Sequence, residues 1–256
     1  MSALTAGKTR LDVYLVEEGS AENRSRAQAL IMAGKVLVNG ARAKKAGQPV
    51  GPEDLVAVVD INGWASRGAL KLLHAFEAFP QLEAAVLGAD CLDIGASTGG
   101  FTDVMLRRGA RSVVALDVGY GQLHERLRQD ERVTVLDRTN IRAIEPGALP
   151  TTPTFATCDA SFISVTLFMP VVFRELADGG SYVILVKPQF EVGRDNVGKG
   201  GVVRDDGLRA DALARVVQAA TDVGFDVVGS DDSPVHGPSG NREILLVLQK
   251  PLSSPA

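Results

Sequence analysis

Four charged side chains fall in the order Lys71, Asp159, Lys187, Glu243, and the last three each border a short apolar run. Between the first two lies a turn of small residues, Asp93-Ile94-Gly95-Ala96-Ser97-Thr98-Gly99-Gly100. A turn able to bind a cofactor, set beside two lysines and two carboxylates, suits an enzyme. A lysine serves as a base only when its pKa is depressed. A neighbouring lysine depresses it, whereas nearby acids orient the ammonium and oppose the shift. Lys187 is followed by Pro188, whose fixed φ holds the chain just past its strand. Any one of these charges alone reads as a surface ion pair. Four in this order at strand edges read as a site.

The elements that must position them show as alternating patterns. Segments 91–94, 113–116, 133–136, 155–158 and 182–186 read as strands, and the last four run into Asp117, Asp137, Asp159 and Lys187. Helices are expected over 102–108 and 207–222, the second with Leu208, Ala212, Val216, Ala219 and Ala220 on its apolar side. Segments 225–228 and 244–248 read as a closing antiparallel pair. Ser66 is placed to cap a helix carrying Leu70, Leu73 and His74, which exposes Arg67 and Lys71 near its start. The expected fold class is α/β, a doubly wound and mostly parallel sheet with its ligand at the carboxyl edge.

Ahead of this body sits a smaller basic segment. Residues 8–45 carry Lys8, Arg10, Arg24, Arg26, Lys35, Arg42, Lys44 and Lys45 against Asp12, Glu17, Glu18 and Glu22. The chain is −4 overall, so a segment at +4 leaves a body at −8. That split suits a polyanion gripped at one end, or a solvated basic face. Leu11, Tyr14 and Leu15 mark a first helix, broken at Gly19-Ser20. Asn23 or Ser25 can cap a second one with Ala27, Leu30 and Ile31 on its apolar face. Gly34 stops it, a strand 35–38 follows, and Asn39-Gly40 signals a hairpin. Arg24 and Arg26 lie where the helix dipole disfavours cations, which makes sense if a phosphate comes to that end. The domain boundaries expected are 1–60, a linker at 61–65, and 66–251. The single tryptophan, Trp64, falls in that linker. It is expected to pack, with base stacking as the alternative.

Composition excludes several classes. Cys91 and Cys158 both fall in strand patterns, and His74, His124 and His236 are scattered. Neither a disulfide framework nor a metal site is expected, and a reducing cytoplasm fits best. No leader pattern and no apolar run of spanning length is present, so no membrane role is expected.

Three cofactors compete for the turn. A dinucleotide site wants a second glycine where Ser97 stands. A phosphate loop at Gly193-Arg194-Asp195-Asn196-Val197-Gly198-Lys199-Gly200 lacks the magnesium hydroxyl, since Gly200 occupies its place. The third is S-adenosyl-L-methionine. Asp117 suits ribose hydroxyls of that ligand or of a nicotinamide dinucleotide equally. Asp137 suits an adenine amino group, or simply a turn at a strand end.

Two resemblances narrow the choice. The run 24–40, Arg-Ser-Arg-Ala-Gln-Ala-Leu-Ile-Met-Ala-Gly-Lys-Val-Leu-Val-Asn-Gly, resembles the S4 RNA-binding domain over about residues 9–57. It implies that a small α+β domain binds structured RNA by shape and backbone contact, with the eight cations of 8–45 and Arg67 as RNA-binding candidates. Leu92-Asp93-Ile94-Gly95-Ala96-Ser97-Thr98-Gly99-Gly100-Phe101 resembles the first motif of FtsJ-like class I methyltransferases. This implies a seven-stranded Rossmann-like sheet with one antiparallel strand. Its cofactor residues would be Asp93, Gly95, Ser97, Thr98, Gly99, Gly100, Phe101, Asp117, Asp137 and Asp159. The four charges match the Lys-Asp-Lys-Glu tetrad of that branch. Ser66–Lys71, 159–164, 185–191 and 240–243 are similar to the TlyA (hemolysin A) family of ribosomal RNA cytidine 2′-O-methyltransferases. One departure is Ala69, where glycine is expected. The resemblance implies that Lys187 acts on the hydroxyl, that Asp159 lies near the sulfonium, and that Lys71 and Glu243 orient the ribose and Lys187. It also implies a monomer whose partner is ribosomal RNA within its subunits, 16S, 23S or both. Nothing in the chain supports direct membrane damage.

Overall fold

The computed structural model describes residues 8–253 apart from 19, 22, 33, 59–62 and 238. Gly19, Glu22 and part of the expected 61–65 linker therefore lie outside the described residues. The chain divides into two compact units, Met1–Gly63 with Val235–Gly240, and Trp64–Pro234 with Asn241–Ala256.

The smaller unit contains β1 (Thr9–Arg10), α1 (Leu11–Glu17), α2 (Arg24–Met32), β2 (Val36–Val38), β3 (Ala41–Arg42), β4 (Pro49–Val50) and β5 (Val56–Val58). Leu11 and Leu15 of α1 meet Ala27 and Ile31 of α2 and Val36 of β2 in one buried cluster. Asn23 Oδ1 accepts from Arg26 N at 2.9 Å, so Asn23 caps the second helix. Asn39 and Gly40 both have positive φ, 51° and 71°. That is the pairing a two-residue hairpin needs, and it sets Leu37 opposite Arg42 and Val38 opposite Ala41.

The larger unit contains α3 (Ala69–Ala78), α4 (Gln81–Val86), β6 (Asp90–Ile94), α5 (Gly100–Arg107), β7 (Ser112–Leu116), α6 (Glu125–Arg128), β8 (Val133–Leu136) and β9 (Phe155–Cys158). It continues with α7 (Met169–Glu175), β10 (Ser181–Val186), α8 (Pro188–Glu191), α9 (Asp206–Val223), β11 (Asp226–Asp232) and β12 (Ile244–Gln249). Its seven strands lie in the order β11-β12-β10-β9-β6-β7-β8. All neighbours run parallel except those of β12, which is antiparallel to β10 and β11. β10 is buried at every position, as its continuous apolar run requires of a strand covered on both faces. Side chains alternate along each strand, so Cys91 and Leu92 enter separate cores on opposite faces of the sheet.

Strand order reverses at β6, with β7 on one side and β9 on the other. The carboxyl end of β6 is thus the switch point, where a crevice opens between diverging loops. Two local expectations need correction. Ser66 does not cap α3, because its Oγ accepts from Gly68 N at 3.2 Å and the helix starts without a side-chain cap. The helix after the turn begins at Gly100 rather than 102, since Gly99 takes a φ of 91° and releases the chain directly into helix.

Candidate active site

Asp159 and Lys187 immediately follow β9 and β10, two parallel neighbours. Glu243 immediately precedes β12, and because that strand runs the other way its start shares their edge. Val186 pairs with Ile244 at that end. Lys71 comes from the first turn of α3. The structure thus brings all four together in an alternating chain. Lys71 Nζ donates to Glu243 Oε2 at 2.8 Å and to Asp159 Oδ2 at 3.2 Å. Lys187 Nζ lies 2.6 Å from Asp159 Oδ1. It donates to the Asp159 carbonyl at 3.1 Å and to Ser161 Oγ at 2.8 Å. Lys71, Lys187 and Glu243 are buried, and Asp159 is half-buried. Burial pulls the Lys71 pKa down, but the charges of Asp159 and Glu243 and their hydrogen bonds outweigh it and leave it raised.

Asp159 also lines a cavity of about 510 Å³ at the switch point, a size suited to a small-molecule ligand. Gly95, Ser97, Asp117 and Asn140 line it with polar groups, and Ile94, Leu116, Ile141 and Phe168 give it an apolar slot. A Cβ on Gly95 would come within 3.0 Å of the Ala160 backbone, so only glycine fits between turn and loop. Ser97 holds a left-handed φ of 47°, and its N–H donates to Asp117 Oδ2 at 2.8 Å. A non-glycine residue in that region carries a cost of about 1 kcal/mol, tolerated where surrounding bonds fix it.

Other turn residues stand behind the cavity. Asp93 is fully buried and accepts from Thr102 N at 2.9 Å, Thr102 Oγ1 at 2.6 Å and Thr157 Oγ1 at 3.0 Å. Burial pushes its carboxyl up to about 6 against those three hydrogen bonds. Phe101 packs in the core. Gly99 and Gly100 are buried and Thr98 is exposed, and none of the three is part of the cavity wall. Asp137 accepts from Gly121 N at 3.1 Å and Arg128 Nη2 at 3.0 Å, and it too lies off the wall. Trp64 stacks under the Arg107 guanidinium at 4.2 Å and packs on the core. Among the described residues no group of His, Cys, Asp and Glu is placed to hold a metal ion.

The family model for FtsJ-like methyltransferases matches residues 64–250, the whole span of this sheet and its edge. The chain belongs to the FtsJ-like methyltransferase family. The S4 domain model matches residues 9–56. The chain is 47% identical over 246 residues to the 16S/23S rRNA (cytidine-2′-O)-methyltransferase TlyA of Mycobacterium tuberculosis, covering 95% of this chain and 91% of that one. It is 42% identical over 237 residues to hemolysin A of Brachyspira hyodysenteriae, covering 92% and 98%. A solved candidate hemolysin from Streptococcus thermophilus superposes with a TM-score of 0.74 at 42% identity, covering 98% and 91%.

In the FtsJ-like unit, sequence reasoning missed the segment after β9. Ser161 and Phe162 line the cavity, and Phe162 is 92% exposed at a φ of 68°. A left-handed φ at a bulky residue is strained and persists only where the surrounding structure fixes it. The only sequence signal of Phe162 was membership of the 159–164 motif. In the S4 unit seven of the eight expected cations are exposed and Lys35 is half-buried. Arg10 Nε and Arg24 Nη2 pair with the fully buried Asp12 at 3.0 and 3.1 Å. The Arg10 hydrogen bond, against burial, holds the Asp12 carboxyl well below the usual range. Arg24 at the start of α2 therefore already has a counter-charge, which the sequence argument lacked. Arg67 is half-buried just ahead of α3.

Proposed function

We propose that this protein is an S-adenosylmethionine-dependent methyltransferase that modifies the 2′-hydroxyl of cytidine ribose in ribosomal RNA. The observation that carries the reading is the alternating Lys-Asp-Lys-Glu chain at the carboxyl edge, with Asp159 facing the cavity. The cavity fits the cofactor in size and chemistry, with an apolar slot, a glycine that lets the turn close on the Ala160 loop, and the carboxylates Asp117 and Asp159 on its wall. When bound, S-adenosylmethionine would supply a methyl carbon on a cationic sulfur, whose carbon–sulfur bond would break with its electron pair on sulfur as the ribose oxygen bonded to the carbon, and the hydroxyl proton would have to be taken up.

Asp117 would accept from the cofactor ribose, while Asp159 would lie near the sulfonium. The turn from Asp93 to Phe101 would shape the methionine end, and Asp137 would brace the rim through Gly121. Lys71 is held in its charged form, which makes it a fixed cation that orients Asp159 and Glu243. Lys187 is then the lysine that meets the ribose hydroxyl and takes its proton. Lys8, Arg10, Arg24, Arg26, Lys35, Arg42, Lys44, Lys45 and Arg67 would grip RNA phosphates. All four tetrad residues come from one chain, which supports action as a monomer. A substrate in ribosomal subunits places the work in the cytoplasm, on 16S RNA, 23S RNA or both.

Incubation of the full chain with labelled cofactor and bacterial ribosomal subunits tests this. Nucleoside digestion should return label on cytidine 2′-oxygens, and Lys187→Ala should lose about 100-fold or more in rate. Label on a base or on protein, or full activity in Lys187→Ala, would overturn it.

A further inference from the structure

Lys187 Nζ has two aligned hydrogen-bond partners, the Asp159 carbonyl at 3.1 Å and Ser161 Oγ at 2.8 Å. Asp159 Oδ1 is closer, at 2.6 Å, but lies off alignment and has no hydrogen-bond partner. The carboxylate therefore supplies charge, while the carbonyl and the hydroxyl fix direction. A tetrahedral amine nitrogen has four positions. Cε takes one, and the two aligned acceptors take two N–H groups. The fourth is then set in space, carrying an N–H in the ammonium and the lone pair in the amine. With the carbonyl as sole anchor, the lone pair would have two positions to choose between.

Ser161 is itself held in place. Glu191, one helical turn beyond Lys187, is buried and accepts from Ser164 Oγ at 2.6 Å and Val165 N at 3.0 Å. The segment after β9 and the segment after β10 are thus joined at both ends, by Lys187 on Asp159 and Ser161 and by Glu191 on Ser164 and Val165. Ser161 also lines the cavity.

We propose that Ser161 is a positioning residue that aims the free position of Lys187 Nζ at the substrate hydroxyl. The inference rests on the methyltransferase reading above. In the transfer the ribose hydroxyl proton passes to the Lys187 lone pair, and Lys187 returns it to solvent before the next turnover. Ser161 neither gains nor loses a proton. It keeps one N–H engaged in both states and so leaves the lone pair a single direction.

The test uses the full chain as wild type, Ser161→Ala and Ser161→Thr. The first readout needs neither cofactor nor RNA. An ammonium held by two aligned acceptors exchanges slowly with water and gives a lysine N–H correlation by proton–nitrogen NMR, assigned by its loss in Lys187→Met. The signal should be present in wild type and Ser161→Thr and broadened away in Ser161→Ala. The second readout pairs single-turnover methylation of ribosomal subunits with calorimetric affinity for S-adenosylmethionine. Ser161→Ala should lose about tenfold in rate with affinity within about twofold, and Ser161→Thr should recover most of the rate. An intact signal and rate in Ser161→Ala overturns the proposal. So does equal loss in both variants with weakened cofactor affinity, the mark of packing alone. A wild type that shows the signal and binds cofactor but leaves 2′-oxygens bare overturns the methyltransferase reading and this role with it.

Discussion

Lys71 bridges two carboxylates with one ammonium, and one of them, Glu243, is only 1% exposed. Removing the cation would leave buried charge without compensation, which costs far more than a lost surface pair. Lys71→Met should therefore lower the unfolding free energy by about 3 kcal/mol or more, as well as abolish methylation. Urea denaturation reads this directly, and a loss under about 1 kcal/mol would show that the acids find other partners. That the four charges meet was legible in the sequence because Asp159 and Lys187 stand where an apolar run stops and Glu243 where one starts. Ser161 was not, since a serine two residues past a strand has no pattern of its own. Asp12 was hidden for a related reason. It looked like one acid among eight cations, and only the packing of α1 on α2 shows it as the buried partner of Arg10 and Arg24.

Asp93 joins three elements, holding α5 through Thr102 and β9 through Thr157 while sitting in β6. Its pKa stands at about 6 against an ordinary 3.8. Across that window the folded state keeps a proton that the unfolded chain has released, so stability falls as pH rises and levels off above it. Asp93→Asn should remove this slope, shrinking the change in unfolding free energy between about pH 4 and pH 7 by an amount on the order of 2 kcal/mol. Urea titrations of both proteins at a series of pH values would show it, and parallel curves would count against it. Strands were readable at this level because β10 and β12 carry unbroken apolar runs, 182–186 and 244–248. Their order was not, since burial on both faces says that a strand is central without saying between which neighbours. The start of α5 also escaped, because the positive φ at Gly99 depends on a turn that the helical pattern does not encode.

The chain carries a net charge of −4, yet residues 8–45 hold eight cations against four acids. No helix among the described residues is long and apolar enough to cross a membrane. If the exposed cations hold RNA phosphates, their contribution must fade with salt as counterions are released. Replacing Arg26, Lys44 and Lys45 by alanine should weaken binding to ribosomal subunits and flatten the log–log salt dependence by about 2. Calorimetric affinity for S-adenosylmethionine should stay unchanged, and an unaltered salt slope would remove these three from the interface. One topological detail also has a meaning in time. β12 comes last among the strands of its sheet yet lies between β10 and β11. A chain made from its N-terminus has every residue that lines the crevice, the last of them Phe168, before Glu243 is added. Because a domain folds as a unit, the sheet that carries the crevice is complete only once β12 has taken its place between β10 and β11, so the last strand made is the one that brings Glu243 to the other three charges.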